Sequence, residues 1–117
     1  MSDDPERLER IWRAVAAIPP GKVDSYGGVA RRAGLPGRAR LVGHALKHAP
    51  ANLDLPWHRV LNASGRISFP EGSEAHALQR RKLEAEGVGF KGARVAGSAL
   101  RDERSLDRLL WGPPDPS

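Results

Sequence analysis

The stretch LPWHRVLNASG, residues 55–65, sets Trp57, His58 and Arg59 side by side behind Pro56 and ahead of a turn made of Asn, Ala, Ser and Gly. An imidazole next to a guanidinium suits proton transfer or the holding of an anion, and a reactive group belongs beside them. The residue standing there is an indole, a poor nucleophile. No cysteine occurs in the 117 residues, which excludes thiol catalysis, thiolate zinc ligation and a disulfide framework together. The serines lack a nucleophile-elbow context. The Gly-rich fragments at Gly27-Gly28 and Gly87-Val88-Gly89 do not follow a βα unit, so glycine there serves turns and packing. His44 and His48 stand four apart, yet no acidic or thiolate residue at ligand spacing completes a metal set, and His76 has no evident partner. The sequence calls for no cofactor.

Charge is more informative. The net charge is +5, with 28% charged and 39% hydrophobic residues, which describes a globular basic chain. Two readings stand side by side: a soluble basic protein, or one that gains affinity by displacing counterions from a polyanion. The N-terminal MSDDPERLER has no apolar signal core, and no apolar run approaches the ~20 residues of a bilayer span. The expectation is a monomer without membrane contact in the cytoplasm (in a bacterium, nucleoid-associated).

The elements that must position these residues follow from spacing. Asp4-Pro5 starts a helix whose buried face carries Leu8, Ile11, Trp12, Val15 and Ile18, with Trp12 a core residue. Ser25 caps a short helix that Tyr26 opens and Gly34 stops. GRARLVGHALKHA forms the next helix, with Val42, Ala45, Leu46 and Ala49 inward and Arg38, Arg40, His44, Lys47 and His48 on the other faces. A short helix, a tight turn and a basic second helix make a helix-turn-helix pattern. Arg59-Val60-Leu61 and Arg66-Ile67-Ser68, flanking Asn62 to Gly65, predict a small hairpin, the wing of a winged variant. From Ser73 to Gly87 a last clear helix is expected to bury Ala75, Leu78, the Lys82 stem and Ala85. A short helix is expected near residues 105–111, with Trp111 as a packing anchor and a frayed, Pro-rich end. One domain spans residues 1–117, with its core at about 5–90 and a C-terminal extension from 91.

VDSYGGVARRAG, GRARLVGHALKHAP and PWHRVLNASGRIS together resemble the DNA-binding domain of the O6-alkylguanine-DNA alkyltransferases. Those enzymes carry Pro-Cys-His-Arg-Val, and their cysteine takes the alkyl group irreversibly. Tryptophan in that place, as in Pro56-Trp57-His58-Arg59-Val60, resembles the alkyltransferase-like proteins, a related group that binds alkylated guanine without repairing it. The likeness covers about residues 11–87. It implies a mainly α fold: a winged helix-turn-helix DNA-binding domain of the alkyltransferase C-terminal-domain type, with a small β-hairpin.

The resemblance also implies roles. Tyr26 matches the tyrosine that pushes on the phosphate beside the target nucleotide. Arg40 matches the arginine finger that fills the gap left by a flipped base, from a helix docked in the minor groove. Arg38 and Lys47 flank it on the DNA side. Pro56, Trp57, His58 and Arg59 match the active-site run, Val60 a pocket wall, and residues 68–73, with Ser68 and Phe69, the lid. Glu86 matches the glutamate that hydrogen-bonds the histidine. Three features depart from the enzymes: Ala49 replaces a hinge asparagine, His44 replaces the second glycine of a Gly-Gly pair, and Phe69-Pro70-Glu71-Gly72 lacks their tyrosine-serine lid pattern.

The implied function is non-enzymatic recognition of O6-alkylguanine in duplex DNA. The implied partners are that DNA and nucleotide excision repair proteins, a UvrA-type damage-recognition subunit among them. Read without the resemblance, Trp57 is an ordinary core aromatic and His58 a buried histidine paired with Glu86. Two competitors remain: a winged-helix regulator that reads sequence, and an alkyltransferase using another nucleophile.

Overall fold

The computed structural model describes residues 5–99. The expected helix at 105–111, Trp111 and the Asp4 cap lie outside them. Three helices form the first half. α1, Pro5–Ala16, begins at its proline and buries Ile11, Ala14 and Val15, with Ile18 following it into the core and Leu8 and Trp12 packed at its edge. The Trp12 indole donates from Nε1 to the Ala45 carbonyl at 2.8 Å, so its polar edge is satisfied and its ring is free to pack.

α2, Tyr26–Arg32, is capped by Ser25, whose hydroxyl accepts from the Gly28 N–H at 2.9 Å. Gly34 ends it at φ +80°, while the Leu35 N–H reaches the Ala30 carbonyl and the Gly34 N–H the Arg31 carbonyl. That left-handed residue and bond pair satisfy the last carbonyls and turn the chain sharply into α3, Ala39–Lys47. Val42 and Ala45 of α3 are buried as expected and Leu46 packs at the edge. Leu41 joins them in the core, and Ala49 lies beyond the helix, half-buried.

The second half departs from expectation in two ways. Val60–Leu61 (β2) does not pair with residues 66–68; it pairs in parallel with Asp24–Ser25 (β1), Asp24 opposite Val60 and Ser25 opposite Leu61. Residues 62–66 form a turn closed by Asn62 N–H to the Arg66 carbonyl at 2.9 Å, and Arg66 bridges to Arg94. The small hairpin lies further on, between β3, Phe90–Lys91, and β4, Arg94–Val95. Because successive strand residues face opposite ways, Val60 enters the helical core while Leu61 enters a second cluster with Val23, Ile67, Leu83, Val88 and Val95. Two residues thus join both cores, which is what fixes them as a strand.

The other departure concerns α4, Glu74–Ala85, capped by Ser73 through the His76 N–H. It buries Gln79 and Leu83; Leu78 is 38% exposed, and Lys82 and Ala85 are exposed too. Gln79 turns the helix because its amide Nε2 donates to the carbonyls of His58 at 3.0 Å and Val60 at 3.1 Å. Those are backbone acceptors that would otherwise be buried without a donor, a cost that outweighs the burial of one leucine. Among the described residues no helix is long and apolar enough to cross a membrane.

Candidate nucleic-acid interface

Tyr26 and Arg40 are brought to one groove. Its open volume is about 820 Å³, and Lys47, Arg31, His44 and His48 complete its polar lining, with Asn62 and Ala63 along one side. Tyr26 is the first residue of α2, and the backbone before it is held twice. The Ser25 N–H donates to Asp24 Oδ1 at 2.8 Å, and Asp24 Oδ2 accepts from Arg32 Nε at 3.0 Å. A side-chain carbon on Gly28 would collide with that Asp24 carboxylate, so glycine is what lets α2 start against it. Arg38 lines an adjoining depression of about 540 Å³ with Gly37, Arg40 and His44. The rings of His44 and His48 sit 4.3 Å apart, and no group of three or more potential metal ligands occurs among the described residues.

The electrostatics of this face are one-sided. Arg31, Arg38, Arg40 and Lys47 are exposed, and none forms an ion pair with a carboxylate among the described residues. Free cations along a concave face attract a polyanion and release its counterions on contact.

The remaining site residues gather elsewhere. Trp57–Arg59 forms one 3-10 turn. Together with Pro56, Leu53, Asp54, Leu55, Ala16 and Lys82 it borders a separate cavity of about 380 Å³. The Trp57 ring meets Phe69 edge-on at 6.4 Å and His58 at 6.0 Å. Phe69 and Ser68 are exposed, while Val60 is buried in the helical core and supports the turn from beneath.

Behind Trp57 lies a closed network centred on Glu86, the residue that caps α4. His58 Nε2 is 2.9 Å from Glu86 Oε2; Arg59 donates Nε to Oε1 at 3.0 Å and a terminal nitrogen to Oε2 at 2.5 Å. The Gly21 N–H adds a bond to Oε1 at 3.1 Å, and Arg59 also reaches the Ile18 carbonyl at 2.7 Å. The Arg59 guanidinium does most to lower the Glu86 pKa, to about 2, with His58 and the Gly21 N–H assisting against the opposing effect of burial. The carboxylate therefore stays ionised and acts as a knot tying the segment that follows α1, the Trp57 turn and the end of α4.

Gln79, 3% exposed, is the site-supporting residue that the sequence reading missed. A signal for it exists: Gln79, Leu83 and Glu86 fall at i, i+4 and i+7. A polar residue on an inward helical face at that spacing marks a buried hydrogen-bond donor.

Residues 6–88 match the 6-O-methylguanine DNA methyltransferase DNA-binding domain. The alkyltransferase-like protein 1 of Schizosaccharomyces pombe is 46% identical over 108 residues, 92% of this chain and 96% of its own. The DNA base-flipping protein of Escherichia coli is 49% identical over 103 residues, 88% of this chain and 72% of its own. The crystal structure of the S. pombe protein in complex with damaged DNA containing O6-carboxymethylguanine superposes with a TM-score of 0.67 at 41% identity, covering 77% of this chain and 83% of that one. The chain belongs to the 6-O-methylguanine DNA methyltransferase DNA-binding-domain family, among its alkyltransferase-like members.

Proposed function

We propose that this protein is a non-enzymatic sensor of O6-alkylated guanine in duplex DNA, which it docks by the minor groove, flips from the stack and releases unrepaired. The observation that carries the reading is the shared groove of Tyr26 and Arg40, lined by cations with no carboxylate partner among the described residues. A phenol and a guanidinium on one basic face are the parts that base extrusion needs: a lever on the backbone and a filler for the vacated stack. O6-alkylation weakens pairing with cytosine, so the lesion costs less to extrude than guanine. Burying the alkyl group against Trp57, Pro56 and the edge of Phe69 adds ~0.8 kcal/mol per CH2.

Trp57 and the absence of cysteine leave no thiol to accept the alkyl group, so binding is reversible. A recognised but unrepaired lesion has biological use only if another system removes it. Transfer to nucleotide excision repair through a UvrA-type subunit, in the cytoplasm, completes the proposal.

Equilibrium binding to matched duplexes with guanine or O6-methylguanine tests it. Preference for the lesion is expected. Equal affinity would turn the reading into a regulator that ignores damage.

A further inference from the structure

Outside the groove, the structure sets two arginines against each other. Arg66 and Arg94 are directly opposite across an antiparallel bridge. Residues so paired project to the same face with Cβ atoms ~4.5–5.5 Å apart, and like charges in that position repel. Both are exposed, and neither forms an ion pair with a carboxylate among the described residues. The pairing is held by the Val95 N–H, which donates to the Gly65 carbonyl at 3.0 Å, and by Arg94 Nε, which donates to the Ser64 carbonyl at 3.0 Å. Arg80 holds the other side of the hairpin, with its guanidinium 4.2 Å over the Phe90 ring and bonded to the Gly92 carbonyl.

The place of the pair matters as much as its charge. Ser64, to which Arg94 is tied, follows Asn62 and Ala63, which line the groove containing Tyr26 and Arg40. The Nε bond leaves both terminal nitrogens of Arg94 without a partner among the described residues. β4 lies beyond residues 6–88, the span that matches the family domain.

We infer that Arg66 and Arg94 form a phosphate clamp that seats a backbone phosphate of the DNA at the turn side of the groove, away from the flipped nucleotide. A phosphate between the two guanidiniums converts their repulsion into two charge-assisted contacts. The clamp reads charge and carries no base or lesion information, so it sets affinity and register while the groove sets selectivity. The inference rests on the DNA-binding reading above.

Its test is the salt dependence of binding by the full chain, with lesion-bearing and undamaged duplexes of one length. Each phosphate contact contributes about −0.9 to the slope of log K against log[salt]. The double variant Arg66→Gln/Arg94→Gln is expected to flatten that slope by about 1 and to weaken both duplexes by about 10-fold at 0.1 M salt, leaving their ratio unchanged. Arg66→Lys/Arg94→Lys should restore the slope. The Gln and Lys variants both lose the Arg94 Nε bond to the Ser64 carbonyl, so they should share one melting temperature while only the Lys variant keeps the parent's slope. That separates a clamp from a scaffold.

An unchanged slope, or a fall in lesion preference alone, overturns the clamp. Loss of both melting temperature and binding that the Lys variant does not rescue also overturns it, in favour of a structural role. If the unsubstituted chain binds neither duplex, the functional reading fails and the clamp falls with it. Binding by the parent with no change in the variant sinks the clamp alone.

Discussion

In the groove, Arg31, Arg38, Arg40 and Lys47 hold their charges toward solvent with no carboxylate paired to them among the described residues, while Arg59 directs its guanidinium into Glu86 and the Ile18 carbonyl. The same residue type is thus used in opposite ways within one small domain. The groove keeps binding capacity unspent, at little cost to the fold, because exposed cations need no partner. Around Glu86 a half-buried charge is drawn partly out of water, and it is tolerable because Arg59, His58 and the Gly21 N–H engage its oxygens. From this difference follows a division of labour: substitutions in the groove should alter binding without altering stability, and substitutions in the network should do the reverse first.

Glu86→Ala should break the network most severely, leaving Arg59 and His58 without their carboxylate, and should cost about 3–5 kcal/mol in urea unfolding. The same group sets an acid limit. Its folded pKa, about 2, lies below the ordinary value of 4.5, so its stabilisation is complete above about pH 4.5 and is lost as pH falls toward 2. Urea midpoints measured across that window should fall steeply for the parent and more gently for Glu86→Gln.

On the groove side, Arg40→Ala should reduce lesion affinity by about 10- to 100-fold, corresponding to the ~1–3 kcal/mol of one base-contacting or stacking side chain. Its melting temperature should stay with the parent's. Tyr26→Ala should act similarly and Tyr26→Phe less, if the ring supplies the steric push. An Arg40 variant with unaltered lesion affinity would remove the finger assignment.

Gln79→Leu blurs the boundary between the regions usefully. It fills the space but leaves the His58 and Val60 carbonyls without their donor, so a loss of about 2 kcal/mol is expected by thermal or urea unfolding. Leu78→Ser should change stability by less than about 0.5 kcal/mol, since that leucine is largely outside the core.

The two regions also differ in how well the sequence announces them. Helices α1 to α3 were legible because their signals are local: apolar residues at helical spacing, Ser25 as a cap and Gly34 as a left-handed stop. The groove follows from them, since a helix-turn-helix with a basic second helix leaves Arg40 and Lys47 on its free face. The pairing of His58 with Glu86 was legible only through the family resemblance, since nothing local in the sequence singles out Glu86 among the carboxylates. The strand pairing was not. Val60 and Leu61 sit beside Asn62 to Gly65, a turn that invites a local hairpin, yet they pair with residues 36 positions earlier in the chain. Only the need to serve two cores at once selects that register, and neither core is visible in a window of ten residues. The inward face of α4 was hidden for a related reason: its deciding residue, Gln79, is polar and answers to carbonyls on another element.

Reversible recognition is the claim on which the rest depends. The most direct test incubates the purified protein with duplex DNA containing O6-methylguanine, separates the two, and measures the intact mass of the protein and the methyl content of the DNA. A reversible sensor emerges with unchanged mass, leaves every lesion in the DNA, and binds fresh lesion-bearing duplex as well as before. A protein heavier by one methylene unit, with guanine restored in the DNA, would make the chain an alkyltransferase and contradict reversible recognition.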